Sequence, residues 1–246
     1  MFYYGTLFVS MAAVPEPPWR RRRGEQRRGA RTPLTRDAIV DAALRLLERD
    51  GLQGLSMRRL ADELGTGAAS LYWHVGDKEE LLSLLLDRIV SEAEPLEPPD
   101  PERWREQVKE LARAGRRLLT SRRDAAQLSM GRIPAGPGSL PVLEHNLALL
   151  AAGGLPPRVI AYASDMFALF VGGFAFEESL GAPALGDREA GPEQLAEYFR
   201  SLPPEQFPTL VRLAGELTAG DADERFEFAI ELLVRGLEAM ADPAPD

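Results

Sequence analysis

Polar, aromatic and basic side chains cluster along residues 55–78 in a pattern that suits contact with DNA. Ser56 is a suitable N-cap for a first helix, and Gly65 stands where a tight turn needs positive φ. Ala61 is small where two helices cross, and Leu71 is apolar where the second helix packs back. The pattern predicts a helix-turn-helix whose second, short helix presents polar and aromatic groups to the major groove: Ser70, Tyr72, Trp73 and His74.

The composition limits the classes of site that the chain can build. It has 246 residues, is 45% hydrophobic and contains no cysteine, which excludes disulfides and thiolate metal sites. Two histidines, His74 and His145, are too few for a histidine-built metal site, so we predict no metal and no cofactor. We expect no membrane-spanning helix, because no apolar run approaches the length of about 20 residues that a bilayer requires. We also expect no secretory signal peptide, because the arginines follow the apolar N-terminal stretch instead of preceding it. A cytoplasmic protein is predicted, with Met1 and Met11 both possible starts.

The net charge of −9 is unevenly distributed along the chain. Residues 1–31 hold seven arginines against two glutamates, whereas residues 97–246 hold fifteen basic against twenty-four acidic residues. A positive tail followed by an acidic body suits a protein that touches phosphate with one end only. The tail is expected to be a disordered basic arm that follows the DNA backbone, enters a minor groove, or remains solvated without a defined contact.

Helical periodicity without any alternating strand pattern predicts an all-α fold. Thr35 caps a helix that Gly51 ends, and Asp77 with Glu80 begins another helix, which runs to about Glu94. The prolines at 95–101 mark a domain boundary, which gives an arm at 1–31, a DNA-binding domain at 32–94 and a second domain at 95–246. Further helices are predicted at Glu102–Thr120, Leu140–Ala152, Pro157–Leu180, Pro204–Ala219 and Ala222–Met240.

The segment from Thr35 to Leu82 resembles the DNA-binding domain of the TetR family of transcriptional repressors. Leu71-Tyr72-Trp73-His74-Val75 followed by Asp77-Lys78 is similar to the tetracycline repressor branch in particular. The resemblance implies a three-helix helix-turn-helix domain joined to a helical bundle that binds a ligand and dimerises. It also implies the DNA-contacting residues, which are Arg58, Ala68, Ala69, Ser70, Tyr72, Trp73, His74 and Lys78.

The resemblance gives these residues roles. Arg58 lies where the family reaches a base or a phosphate, and its guanidinium could bind guanine through two hydrogen bonds, while Arg59 is its solvated neighbour. Ala68, Ala69 and Ser70 open the recognition helix at the base edges, where the two alanines depart from the more polar pattern of tetracycline repressors and leave the operator sequence open. The resemblance places the remaining residues against the sugar-phosphate backbone: Tyr72, Trp73, His74 and Lys78. We favour exposure over a core position for Tyr72 and Trp73, because Leu71 and Val75 already occupy the inward positions.

Two apolar helices in the second half supply either an intrachain core or an interface, and spacing alone favours the core. Val171-Gly172-Gly173-Phe174 and Asp223-Glu224-Arg225-Phe226 resemble segments of the TetR-type C-terminal domain, which dimerises through such helices. The resemblance therefore implies a homodimer on a palindromic operator. The implied interface residues are Phe170, Gly173, Phe174, Phe226, Ile230, Leu233 and Leu237.

A ligand cavity in the body is also implied by the resemblance. Candidates for lining it bring aromatic or polar groups to apolar helices, and each is also compatible with plain core: Trp104, Met130, His145, Asn146 and Phe167. A single histidine in the body does not match the tetracycline chelate site, so tetracycline is not predicted. The identity of the ligand stays open, and the resemblance implies a role in drug efflux or antibiotic biosynthesis.

Three functions are compatible with the sequence. The first is a dimeric repressor that an unidentified small molecule releases from DNA. The second is a DNA-binding regulator without a ligand, or an activator. The third is an enzyme using Glu177-Glu178, Asp165 and His145, which sit in no nucleophile, phosphate-loop or metal-spacing motif, so no catalytic residue is predicted.

Overall fold

The computed structural model describes residues 34–94, 97–132, 135–181 and 191–241. Over these ranges the chain forms helices and no strand, which confirms the predicted all-α fold. The predicted basic arm at 1–31 and the choice of start lie outside the described residues. The helices are α1 (Arg36–Gly54), α2 (Met57–Glu63), α3 (Ala68–Leu71), α4 (Lys78–Val90), α5 (Trp104–Thr120), α6 (Ala125–Ser129), α7 (Leu140–Ala152), α8 (Pro157–Ser179), α9 (Pro192–Ser201), α10 (Pro208–Arg212), α11 (Ala214–Thr218) and α12 (Ala222–Glu238).

The first four helices pack around one apolar core, and local capping sets where they begin. Thr35 Oγ1 accepts a hydrogen bond from the N–H of Ala38 at 3.1 Å, and Asp77 Oδ1 accepts one from Glu80 at 2.8 Å, as the sequence predicts. Gly51 breaks α1 with φ 74°, after which one further turn runs to Gly54. The fully buried side chains of this core are Ile39, Leu46, Leu47, Leu60, Leu71, Leu81, Leu85 and Ile89.

Residues 122–145 belong to the same compact unit as α1–α4. Asp124, which has φ 56°, accepts a hydrogen bond from the N–H of Leu52 at 2.6 Å, and Arg123 donates to the carbonyl of Arg49 at 2.8 Å. On α4, the buried Asp87 accepts hydrogen bonds from the N–H and the hydroxyl of Ser139 at 2.9 and 2.8 Å. The prolines after α4 therefore mark one limit of this unit, but the unit also takes in a later segment, which the predicted division at 94/95 omits.

The second compact unit consists of residues 97–121 and 146–241, within the described ranges. Its core lies among α5, α8 and α12, where Trp104, Phe167 and Phe226 are each at most 5% exposed. The Phe226 ring lies 5.2 Å from Phe170 and 5.4 Å from Phe174, measured between ring centroids. Ion pairs such as Lys109–Glu231, at 2.6 Å, join α5 to α12 at the surface.

Three residues predicted at a dimer interface are buried inside this single chain. Phe226 and Ile230 are 0% exposed and Leu237 is 3% exposed, so their side chains have no surface left for a partner. This corrects the prediction for these three. The opposite side of α12 carries a second apolar pair, Phe228 and Leu232, which are 72% and 61% exposed. Phe228 and Leu232 are four residues apart in the sequence, a spacing that places two side chains on the same side of a helix and so indicates this second face.

Several predicted helix boundaries need correction. The predicted helix Pro204–Ala219 is two short helices, α10 and α11, which follow each other through Leu213. The helix that starts after Asp77 ends at Val90 instead of continuing to about Glu94. Neither α6 nor α9 was predicted, because short helices with few apolar repeats give a weak periodic signal. The bounds of α7 match the prediction.

Helix α8 is long and apolar enough to cross a membrane by length and composition, contrary to the expectation from the sequence. It has 23 residues, and its most apolar window has a mean hydropathy of 1.7. One such helix is weak support for a membrane span, because a core helix passes the same test. Ala163, Phe167 and Val171 of α8 are buried in the core shared with α5 and α12.

Candidate nucleic-acid interface

The turn between α2 and α3 is built by local hydrogen bonds. Ser56 Oγ accepts a hydrogen bond from the N–H of Arg59 at 3.3 Å and caps α2. Gly65 then takes φ 60°, a left-handed conformation in which glycine has no steric penalty. The N–H of Thr66 donates to the carbonyl of Ala61 at 2.9 Å, and α3 begins after Gly67. This geometry is the helix-turn-helix that the sequence predicts.

Apolar side chains fix α3 on the small core. Leu60, Leu71 and Val75 are 0% exposed, and Ala61 is buried where the two helices approach each other. Full burial of a side chain such as Leu71 contributes about 1.5–3 kcal/mol. The inward side of this element is thereby occupied, and the opposite side remains open.

Tyr72 and Trp73 lie on the open side. They are 45% and 61% exposed, which confirms the predicted exposure over a core position. The structure differs in one respect, because α3 ends at Leu71 and these aromatics follow it in a turn. The carbonyl of Leu71 accepts the N–H groups of both His74 and Val75 at 2.9 Å, which shapes that turn.

The other predicted DNA-contacting residues lie along the same stretch. Arg58, Ala69 and Lys78 are exposed, and the rest are half-buried: Ala68, Ser70 and His74. The structure thus brings all eight together on one helix-turn-helix and the first turn of α4. Their contact with DNA stays a prediction.

The two adjacent arginines of α2 differ in how they are held. Arg59 donates to the carbonyl of Gly54 at 2.9 Å and to Asp50 at 2.8 Å, so its guanidinium is engaged within the protein. The side chain of Arg58 makes no hydrogen bond or ion pair with any residue that the structure describes. Nearby, the hydrogen bond from Arg49 to Glu63 raises the pKa of Arg49 above its usual value. Of the two α2 arginines, Arg58 is the one available to a base.

Lys78 occupies the first position of α4, directly after the capping residue Asp77. A helix N-terminus favours an anion through its unpaired N–H groups and its dipole. The exposed ammonium of Lys78 adds a full positive charge at that point. This combination suits a phosphate group.

The residues predicted to line a ligand cavity are divided between the two compact units. Trp104 and Phe167 lie in one apolar cluster of the second unit, where Asn146 donates to Ser164 Oγ at 3.1 Å. Met130 and His145 belong to the first unit. Burial lowers the pKa of His145 below its usual value. An open groove of about 600 Å³ in the second unit is lined by other residues, among them Phe174, Arg225 and Phe228.

Acidic and histidine side chains form no metal-binding group within the described ranges. Of the residues considered for acid–base chemistry, Glu178 is engaged in an ion pair with Arg116 at 2.8 Å. The pair joins α5 to α8.

Family comparisons cover both halves of the chain. Residues 39–85 match the model of bacterial regulatory proteins of the tetR family, and residues 97–241 match the tetracyclin repressor-like C-terminal domain. The chain belongs to the TetR family. This confirms the family prediction, and it establishes a DNA-binding transcriptional regulator with an N-terminal helix-turn-helix and a helical C-terminal domain.

Individual TetR-family proteins match over most of their length. An HTH-type transcriptional regulator of Saccharopolyspora erythraea is 36% identical over 89% of this chain and 91% of its own. The HTH-type transcriptional repressor DrrR1 of Streptomyces coeruleorubidus is 32% identical, over 87% and 80%. The structure of the Streptomyces coelicolor TetR-family protein ActR in complex with actinorhodin is 45% identical, with a TM-score of 0.77, over 87% of this chain and 100% of that one. The first two are named as transcriptional regulators and the third as a TetR-family protein, and none is named as an enzyme.

Proposed function

We propose that this TetR-family protein is a cytoplasmic, homodimeric repressor that binds a palindromic operator and is released from it by a small molecule. The observation that carries the proposal is the exposed row of Arg58, Tyr72, Trp73 and Lys78 on a helix-turn-helix whose apolar side is fully buried. Adjacent exposed apolar side chains that form a patch with polar residues around it mark a contact surface. Their basic neighbours make nucleic acid the fitting partner.

In the proposed complex, α3 and the turn after it meet the major groove. Arg58 binds guanine through its two parallel N–H donors, and Ser70 offers a hydroxyl to a base edge. Ala69 provides an apolar contact suited to a thymine methyl group. Tyr72 and Lys78 bind phosphates and set the register of the protein on the duplex.

The dimer is proposed to form through exposed apolar side chains of α8 and α12. Tyr162, Met166 and Leu169 follow one another at helical spacing on the outer side of α8 and are 62%, 39% and 61% exposed. Phe228 and Leu232 form the corresponding pair on α12. Of the residues implied by the family resemblance, Gly173 lies on the same side of α8 as Leu169. Two-fold symmetry then places the reading helices about 34–36 Å apart, or a multiple of that, on the operator.

The releasing ligand is proposed to bind in the helical C-terminal domain. Support comes from ActR, whose structure contains actinorhodin, and from the aromatic residues Trp104 and Phe167 with the Asn146–Ser164 pair in one helical unit. Regulation of drug efflux or antibiotic biosynthesis follows as the expected role, since the relatives include tetracycline repressors.

The arm at residues 1–31 is proposed to add phosphate contacts. Its support is the seven arginines and the point at which the chain enters α1, since Arg36 Nε donates to the carbonyl of His74 at 3.2 Å. The start of α1 therefore lies beside the turn that carries Tyr72 and Trp73. Deletion of residues 1–31 should lower affinity for all duplexes and make it less dependent on salt.

The decisive experiment is a footprint on the DNA upstream of the protein's own gene and its neighbour, across a salt series. A protected palindrome is expected. Tyr72→Ala should weaken binding to all sequences alike, whereas Arg58→Ala should also relax discrimination at one base pair of each half-site, by about 1–3 kcal/mol. Diffuse, salt-sensitive retention without a protected site would overturn the repressor assignment.

The ligand is tested separately, with actinorhodin as the probe. A compound that binds only the folded state raises the melting temperature, by an amount that grows with its concentration. Actinorhodin is expected to raise it and to lower operator affinity. Tetracycline with Mg²⁺ is expected to do neither. A rise with tetracycline and none with actinorhodin would refute the proposed ligand class.

A further inference from the structure

The carboxylate of Glu80 joins three parts of the DNA-binding domain. Its Oε1 accepts a hydrogen bond from Arg36 Nη2 of α1 at 2.6 Å, and its Oε2 accepts one from the N–H of Gly76 at 2.7 Å. Glu80 itself lies in the first turn of α4. One side chain therefore holds the start of α1, the turn after α3 and the start of α4 together.

Arg36 completes this arrangement from the other side. Besides its ion pair with Glu80, it donates through Nε to the carbonyl of His74 at 3.2 Å. The side chains of Arg36 and Glu80 are 26% and 18% exposed, so the pair is less screened by water than an ordinary surface pair. Hydrogen bonds between charged side chains and backbone groups are stronger than neutral ones.

We infer that Arg36 and Glu80 are positioning residues for DNA binding: the pair sets the turn that carries Tyr72 and Trp73 relative to Lys78. Arg36 binds the His74 carbonyl of the turn, and Glu80 binds its Gly76 amide. Lys78 lies on α4, two positions before Glu80. The inference rests on the proposed DNA-binding function. It adds that the phosphate-binding groups on the two sides of the turn act together only while this pair is intact.

Gly76 supports the inference through its close approach to Glu80. A Cβ atom at position 76 would lie 3.0 Å from Glu80 Oε2. Such a separation is tighter than ordinary van der Waals contact, so a side chain at position 76 would require the carboxylate to shift by a few tenths of an ångström. The turn therefore matches the carboxylate of Glu80 in two ways: the absence of a side chain at Gly76 leaves room for it, and the N–H of Gly76 donates a hydrogen bond to it.

Replacing Glu80 tests the inference, because two explanations predict opposite changes in DNA affinity. Electrostatics alone predicts tighter DNA binding when a carboxylate near phosphate is neutralised. The positioning role predicts the reverse, because the turn loses its anchor. Glu80→Gln should weaken operator binding about tenfold, equivalent to about 1.4 kcal/mol, and Glu80→Ala should weaken it further.

The experiment measures affinity by fluorescence anisotropy, on a duplex that the wild-type protein enriches from a random-sequence library. Asp41→Asn is the matched control, since it also removes a carboxylate from an ion pair between α1 and α4, with Arg88 at 2.8 Å. The control should retain wild-type affinity. The melting temperature is measured for each variant. Arg36→Ala combined with Glu80→Ala should weaken binding by less than the sum of the two single effects, since both changes remove the same ion pair.

The salt dependence separates positioning from a smaller folded fraction. Misplaced phosphate-binding groups should make the slope of log affinity against log salt shallower by about one for each phosphate that the protein no longer binds. A smaller folded fraction instead lowers affinity by the same factor at every salt concentration. Unchanged or tighter binding by Glu80→Gln would overturn the inference alone. A wild-type protein that enriches no duplex would overturn the proposed function as well.

Discussion

Replacing Lys78 with alanine removes an exposed ammonium group from the first turn of α4. Lys78 forms no ion pair with any residue in the part of the chain that the structure describes, so its removal should change the free energy of unfolding by less than about 0.5 kcal/mol. Any change in DNA affinity would therefore report on the contact with DNA itself.

The size of the effect follows from counterion release. Each phosphate contact contributes about 0.9 to the slope of log affinity against log salt, and a dimer carries two copies of Lys78, so the slope should become shallower by about 1.8. Over a fourfold rise in salt, from about 50 to about 200 mM, this difference amounts to about twelvefold. The variant should fall furthest below wild type at low salt and approach it as salt rises.

The assay is anisotropy titration of a labelled operator duplex at several salt concentrations. Arg59→Ala is the matched control, because it removes one positive charge from the same domain but from a side chain already engaged by Asp50 and the Gly54 carbonyl. Its slope should equal that of wild type. If the Lys78→Ala and wild-type lines are parallel, Lys78 does not bind phosphate and the placement of the recognition element is refuted.

Three further predictions concern the folded protein. Phe228→Glu should convert the proposed dimer to a monomer in light scattering, because it places a charge on the proposed interface. The control variant Tyr198→Glu on α9 should remain dimeric. If Phe228→Glu is dimeric, this face of α12 is not the interface. Asp87→Ala should lower the free energy of unfolding in urea by about 3 kcal/mol, because it leaves buried N–H donors of the loop before α7 unpaired; an unchanged midpoint would show that the network contributes nothing. The pKa of His145 is lower in the folded protein than in the unfolded chain, so His145 of the unfolded chain takes up a proton first as the pH falls below about 6.5. The contribution of His145 to the free energy of unfolding is therefore fully present above that pH and is lost as the pH falls through the folded pKa. His145→Gln should flatten this pH dependence of the unfolding midpoint, and a variant with the wild-type profile would contradict that assignment.

The sequence predicted best what local interactions decide. Thr35, Ser56 and Asp77 cap their helices as expected, because a cap depends on a side chain and an N–H group within a few residues. Gly65 takes the left-handed conformation that the turn requires. Tyr72 and Trp73 are exposed as inferred, since Leu71 and Val75 left no inward position for them.

What the sequence could not predict depends on contacts between distant segments. Apolar spacing identified Phe226 and Ile230 as a stripe, but not whether the chain itself or a partner covers it. The ion pair of Arg36 with Glu80 joins residues 44 positions apart, and no local pattern indicates it. The same holds for Asp124, whose carboxylate accepts the N–H of Leu52.

The attachment of residues 122–145 to the reading helices has a consequence for making hybrid regulators. Asp124 and Arg123 satisfy backbone groups at the end of α1, and Arg132 pairs with Glu79 of α4 at 2.9 Å. A graft that exchanges only the first 94 residues between two such proteins would separate these side chains from the groups they fit. A working hybrid should therefore inherit two stretches from the same parent, α1–α4 and residues 122–145, with the joins placed on either side of each.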